Sequence, residues 1–258
     1  MDALKNRLNT LLAERVRLDE SLMSTLSKSI LQEAIQGRLV PQDPNDEPAE
    51  KLLEKINAEK QRLVKEGKLK AKDAVSSVIF KGEDNKYYEQ IGSKVLEITD
   101  EIPFEIPSTW QWCRLQSIVL IRDAERRPVS KEMRIRGKYP YYGANGILDY
   151  VNNYIFDGQF ILVGEDGSVM TKYGNPIVNK ANGRIWVNNH AHILEEYGTI
   201  GYFDYLYYAL QAIDISSYVH GFMAKYSQGD LRRTLIPLPP YKEQLRINQL
   251  LSSIEYSL

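Results

Sequence analysis

The 258-residue sequence holds one cysteine, Cys113, no long apolar run and almost no net charge, with 33 Lys and Arg against 34 Asp and Glu. Each scarcity excludes something. A single thiol forms neither an internal disulfide nor a zinc site. The longest apolar stretches, such as that around Phe160 to Val163, fall far short of the roughly 20 residues a membrane span needs, so no membrane partner is expected. The opening MDALKNRLNTLLAERVRLDE is charged every few residues and lacks an apolar core ahead of a cleavage site. No secretory signal is therefore expected, and the cytoplasm is the expected compartment. Near-neutrality argues against coating nucleic acid by bulk electrostatics, unless the charge is unevenly distributed. No P-loop pattern G-x-x-x-x-G-K-[ST] occurs, and neither GEDGS nor GFMAKYS matches a G-x-S-x-G nucleophile elbow.

What is present begins with leucines. Leu4, Leu8, Leu11, Leu18 and Leu22 follow a heptad seam in which Arg15 takes the skipped position, and Leu26 and Ile30 continue it in four-residue steps. The spacing predicts a helix of roughly 40 Å, either a coiled-coil arm or a surface helix on a globular core. Gly37 is placed to end it, and PQDPNDEP is a loop. A second helix is expected with Pro48 in its first turn, capped by Asp46 and ended by Gly67, solvent-facing and lightly docked. Residues 68–85 read as a poorly ordered connector.

From about Tyr87 the texture becomes short apolar runs between Gly, Asn and Asp. Strands are expected at Ile147–Tyr154, Gln159–Val163, Arg184–Val187 and Ala191–Leu194, with turns at Asn145-Gly146, Asn182-Gly183, Asp157-Gly158 and Asp166-Gly167. One helix is expected at Tyr202–Ile213, and Trp110, Trp112 and Trp186 are expected core anchors. The fold class is α+β: long helices flanking one mixed domain with a twisted sheet. After the strand stopped by Pro239 and Pro240, a last helix carries a second seam, Ile247, Leu251, Ile254 and Leu258. The seam runs to the final residue, which leads to the expectation of a partner helix on another chain or of a sequence that continues.

Several pieces, taken in order, resemble the DNA-specificity subunits of Type I restriction-modification systems: SILQEAIQGRLVPQDPNDEPAEKLLEKINAEK, EIPFEIPSTWQWCRL, YPYYGANGI, ILVGEDGSV, WVNNHAHIL and IPLPPYKEQLRI. The resemblance implies a coiled-coil arm at residues 1–40, a loop, second helix and linker at 41–86, a target-recognition domain at 87–240, and the start of another conserved helix at 241–258. It implies partners: double-stranded DNA, DNA adenine methyltransferase subunits and a restriction and translocase subunit. The chain departs from the usual pattern in holding one recognition domain, so a homodimer through Leu4, Leu8, Leu11, Leu18, Leu22, Ile247, Leu251 and Ile254 is expected to rebuild a two-domain scaffold.

Catalysis is not expected. The sole Pro-Pro-Tyr follows Leu238 rather than the Asn or Asp that an adenine methyltransferase of such a system needs. Glu165 and Asp166 lack a nearby lysine for a metal nuclease, and GEDGS reads as a turn. His190 and His192 share a strand face as zinc ligands can, yet lack a third ligand and read as satisfied polar positions. No cofactor is expected.

Charge distribution reopens the nucleic-acid question. Residues 1–109 hold 17 basic and 20 acidic side chains, and residues 110–240 hold 14 and 12. Arg122, Arg126, Arg127, Lys131, Arg134, Arg136 and Lys138 cluster ahead of YPYYGANG, either as a solvated face or as DNA contacts. The candidate DNA-binding set is Arg126, Arg127, Lys131, Arg134, Arg136, Lys138, Tyr142, Asn145, Lys172, Tyr173, Lys225, Tyr226 and Gln228. The alternative function is a non-catalytic assembly adaptor with a repurposed domain, and an autonomous nuclease or methylase ranks last.

Overall fold

The computed structural model describes residues 2–167, 169–198, 200–221 and 224–255. Helix α1 (Asp2–Ile35) splits its seam in two. Leu11, Leu18, Leu22 and Leu26 face solvent, whereas Ile30, Leu31, Ala34 and Ile35 pack into the domain. Leu4 and Leu8 lie outside the described side chains. Gly37 ends the helix at φ +71°, with Arg38 N–H bonded to the Glu33 carbonyl in the manner of a Schellman cap. A Cβ at Gly37 would also lie 2.4 Å from Pro107 Cγ, so glycine serves both the reversal and the packing.

Helix α2 (Ala49–Lys65) differs from the lightly docked helix its charges suggest. Leu52, Ile56 and Lys60 lie one helical turn apart on one face, and all three are buried. Lys60 lays its aliphatic stem in the core and ends on Ser76 Oγ at 2.7 Å, with the Val75 and Ser117 carbonyls at 3.3 and 3.4 Å. Burial lowers this amine to about 8. Asp46 does not cap α2. It pairs with Arg246 at 2.5 Å, two hundred residues away, and Pro48 holds the N-cap without a side-chain bond.

Residues 68–85 are not an unstructured connector. They hold a 3-10 turn at Ala71–Asp73 and strand β1 (Val78–Lys81), which pairs antiparallel with β2 (Tyr87–Ile91), itself paired with β3 (Lys94–Glu97). Strand β4 (Gln111–Arg114) then leads through the single turn α3 (Leu115–Ile118) into β5 (Val119–Ile121). Trp110 and Trp112 are buried beside β4 as expected, while Trp186 is half-buried.

The main sheet adds β6 (Arg136–Gly143), β7 (Gly146–Val151), β8 (Phe156–Gly164), β9 (Val178–Val187) and β10 (Ala191–Glu196) to β5, in the order β5-β10-β8-β9-β6-β7. Only the β6–β9 pair is parallel. Along β8, Ile161 and Val163 enter one core cluster while Phe160 and Leu162 enter another, so this strand is buried on both faces and reads as an unbroken apolar run. Asn145-Gly146 does turn β6 into β7, with Gly146 at φ +109°. The Asp157-Gly158 and Asn182-Gly183 pairs are not turns. They face each other inside β8 and β9, with Gly158 paired to Gly183.

Helix α4 (Phe203–Ala212) is followed by the short hairpin of β11 (Val219–His220) and β12 (Lys225–Tyr226), then α5 (Gln228–Arg233), capped by Ser227. Strand β13 (Leu235–Leu238) pairs with β4, and two prolines stop it ahead of α6 (Tyr241–Glu255). Ile247 and Leu251 pack on Ala34, Ile35, Tyr205 and Tyr208. Their seam is thus occupied within the chain and is not open to a second copy, contrary to expectation. Ile254 is half-buried, and Leu258 lies outside the described residues. Among the described residues no helix is long and apolar enough to cross a membrane.

Candidate nucleic-acid interface

The basic segment starts from a buried polar knot. Asp123, just after β5, accepts from His192 Nδ1 at 2.6 Å, from Ile193 N–H at 2.9 Å and from Gln228 Nε2 at 2.9 Å. Burial pushes the Asp123 carboxyl up, but the His192 bond, with His192 and Arg126 nearby, holds it below its ordinary value. His192 Nε2 meets the Tyr226 carbonyl at 2.8 Å. Both ring nitrogens therefore face acceptors, and the ring ties β10 to the segment on one side and to β12 on the other.

Asp123, Glu165 and His192 bring three ligand-type atoms within 4.8 Å of one another. Their charge is already balanced from within. Arg126 pairs with Glu165 and stands 3.6 Å from Asp123, and Lys225 Nζ lies 3.4 Å from Glu165. The knot is an ion-pair network that fixes the root of the basic segment. Replacing His192 by Ala removes the shortest bond to the buried Asp123 carboxylate and the ring's bond to the Tyr226 carbonyl, at an expected cost of about 3 kcal/mol. Amide exchange should then quicken across residues 122–138 more than in β8 or β9, and uniform exchange would contradict the anchoring role.

From this root the chain runs along the sheet and returns as β6. Trp186 Nε1 donates to the Arg127 carbonyl at 2.6 Å, and the Tyr141 hydroxyl accepts from Val129 N–H at 3.0 Å. Farther on, Asn152 N–H donates to the Ile135 carbonyl at 2.9 Å. Gly137 lets β6 and the end of β7 close, since a Cβ there would sit 2.3 Å from Asn152 Cα. The turn holding Asn145 lies at the opposite end of β6 from Arg136, roughly 23 Å away at 3.3 Å per residue. Sequence proximity had suggested one cluster, but the strand separates it into two ends.

Ten of the thirteen candidate contacts fall into three groups. Arg127, Lys131, Arg136, Lys138 and Asn145 are exposed, and none of these four cations has an ionic partner among the described residues. Arg126, Arg134 and Gln228 are committed to holding the segment: Arg126 to Glu165, Arg134 to the Val129 carbonyl at 3.1 Å and Asp149 at 3.4 Å, Gln228 to Asp123. Contrary to expectation, Tyr142 and Tyr226 are not surface contacts. Both are buried, and the Tyr226 hydroxyl is spent on Thr234. Their rings add apolar area to the core, and the buried Tyr226 hydroxyl finds the partner such a group needs.

Lys172 and Tyr173 lie elsewhere, against α1. Lys28 Nζ sits 4.3 Å from the Tyr173 ring centroid, and hydrogen bonds from Ser24 and Lys172 lower the Tyr173 phenol. Lys172 also lines a groove with Arg17, Ser21 and Ser24. Lys225 is exposed beside Glu165. His190 pairs with Asp166 just before β10 begins, so it does not share a face with His192 as ligands on one strand would. The sequence reading missed a surface group near the start of β6: Tyr139 and Tyr154 with ring centroids 5.1 Å apart, and Arg184 4.8 Å from the Tyr154 ring. Its members come from three separate strands and loops, so no local spacing announces it.

The family model for the Type I restriction modification DNA specificity domain matches residues 107–258. A Haemophilus influenzae protein named as a type I restriction enzyme specificity subunit is 33% identical over 145 residues, covering 56% of this chain and 37% of that protein. The type I restriction enzyme EcoAI specificity subunit of Escherichia coli is 42% identical over 99 residues, 38% of this chain and 14% of its own length. The chain thus matches well under half the length of these relatives. Looser likenesses of fold are to a chain of a type I R-M system (TM-score 0.49, 17% identity, 96% of this chain, 49% of that one) and to the S subunit from M. genitalium (TM-score 0.47, 14% identity, 92% and 52%). With the family model covering more than half of its residues, the chain belongs to the Type I restriction-modification DNA-specificity family.

Proposed function

We propose that the chain recognises a DNA sequence and directs partner adenine methyltransferase and restriction subunits to it, without catalysing either reaction. The observation that carries this reading is the row of uncompensated cations, Arg127, Lys131, Arg136 and Lys138, fixed to the β6 side of the sheet in a family of DNA-specificity domains. Most other basic groups in the domain are neutralised by carboxylates, including Arg114, Arg122, Arg126 and Arg184. An assembly adaptor has no need to leave one row unpaired. The discriminating experiment is competition binding with the methyltransferase partner present. Preference for one duplex over random sequence, weakening with salt, supports recognition, and equal binding to all duplexes supports the adaptor.

The seam of α1 supports self-association, since Leu11, Leu18 and Leu22 are left in solvent by the chain's own core. A symmetric pair would carry two recognition domains and suit a two-part palindromic site. Light scattering is expected to give the mass of a dimer, and Leu18→Asp with Leu22→Asp the mass of a monomer with an unchanged melting temperature. A wild-type monomer at tens of micromolar, also with methyltransferase present, contradicts the pairing. The cytoplasm is the compartment in which such a complex meets DNA.

A further inference from the structure

Among the described residues, Met133 and Ile135 are the two most exposed large apolar side chains, at 74% and 65%. The residue between them is fastened down. The Arg134 guanidinium donates to the Val129 carbonyl at 3.1 Å and to Asp149 at 3.4 Å, and lies 4.4 Å from the centroid of the Tyr141 ring. Tyr141 in turn holds Val129 through both its N–H and its carbonyl. Lys131–Met133 form a 3-10 turn and Arg134 is extended, so neighbours of an inward Arg134 are turned outward. The chain therefore does work to hold two apolar side chains in water at a defined place.

What would cover them follows from their surroundings. Lys131, Arg136 and Lys138 flank the tip without ionic partners among the described residues, and Glu132 is the lone acid within it. Three free cations around an apolar pair complement a polyanion whose interior is apolar, not a neutral protein groove. We propose that Met133 and Ile135 are specificity-determining contacts to the apolar surface of a DNA base, either a thymine methyl group or the face of an unstacked base. The flanking cations take the phosphates on either side, and Arg134 is a positioning residue. This inference rests on the DNA-recognition reading above.

The test uses the full chain with its methyltransferase subunits, on a duplex carrying the motif that methylome sequencing defines for the wild type. Absence of any motif would defeat the recognition reading itself. Given a motif, Met133→Ala with Ile135→Ala is expected to lower affinity for the motif duplex by about 10-fold or more while random duplex is bound as before. Ile135→Val should retain most of the affinity. Uracil substituted for thymine should reproduce the loss at one position if a methyl is contacted, and 2-aminopurine placed away from the methylated adenine should brighten if a base is unstacked. Neither response should occur with the double variant. Unchanged discrimination by the double variant overturns the proposal, and so does loss of the methyltransferase from the complex, which would make the tip a protein contact.

Discussion

Replacing Arg127, Arg136 and Lys138 together by Ala is expected to lower the affinity of the assembled complex for duplex DNA by about 100-fold at roughly 150 mM salt, and to reduce the slope of log K against log salt by about 3. Each of these cations is exposed and lacks a carboxylate partner among the described residues, so each is free to displace one counterion from a phosphate. The control is the triple replacement of Lys51, Lys55 and Lys81, which already pair with Glu54, Glu47 and Glu105. Those lysines lie outside the row, and their loss should leave the salt slope unchanged. Equal slopes for both triple variants would remove the β6 side of the sheet from the interface.

The largest expected effect on stability lies at Arg114, and it concerns the fold rather than DNA. Its guanidinium is 6% exposed and bonds Glu89 through two nitrogens at 3.0 and 2.7 Å, Glu101 at 2.8 Å and the Arg233 carbonyl at 2.8 Å. It thereby ties the β1–β3 sheet to β4 and to the end of α5. Arg114→Ala strands the Glu89 carboxylate in the interior, at an expected cost of about 3–5 kcal/mol, or roughly 10 °C in melting temperature. Replacing both partners, Arg114→Met with Glu89→Leu, should recover most of that loss, because no buried charge is left behind.

The same pair fixes a dependence on pH. Burial pushes the Glu89 carboxyl up, but the two bonds from Arg114 and its charge outweigh it and hold the group below its ordinary value. A carboxyl whose folded value is depressed contributes stability above its unfolded value, near 4.5, and loses it as the pH falls through the folded one. In Arg114→Ala burial is left unopposed and lifts the folded value above the unfolded one, so the variant's stability deficit should shrink as the pH falls, while the wild type loses the contribution of this pair. Thermal melts from pH 7 to 3 measure both, and parallel curves for the two proteins would contradict the linkage.

Much of the domain was legible in the sequence because its signals are local. The unbroken apolar run of β8 needs burial on both faces, Asn145-Gly146 turns one hairpin, and IPLPP stops a strand and starts α6. The failures share a cause in distant partners. Asp46 looks like a helix cap until Arg246 is brought beside it, and Lys60 looks solvated until Ser76 and Ser117 close over it. Tyr226 sits in a polar stretch that suggests a loop, yet Thr234 and His192 draw it inside. Ile247 and Leu251 carry a seam pattern that does not reveal whether the matching surface is another chain or, as here, α1 and α4 of the same one. The basic segment was visible as composition. Which of its members are free and which are fasteners depended on Glu165, Asp149 and Asp123, none of which a charge count distinguishes from solvated acids.

The central claim is that this chain chooses the DNA site for its partners. Methylome sequencing of cells carrying the adenine methyltransferase subunit, with and without this chain, tests it most directly. A defined two-part motif of methylated adenines is expected only with the chain, lost or altered in the Arg127, Arg136 and Lys138 triple variant. Identical methylomes with and without the chain would contradict it.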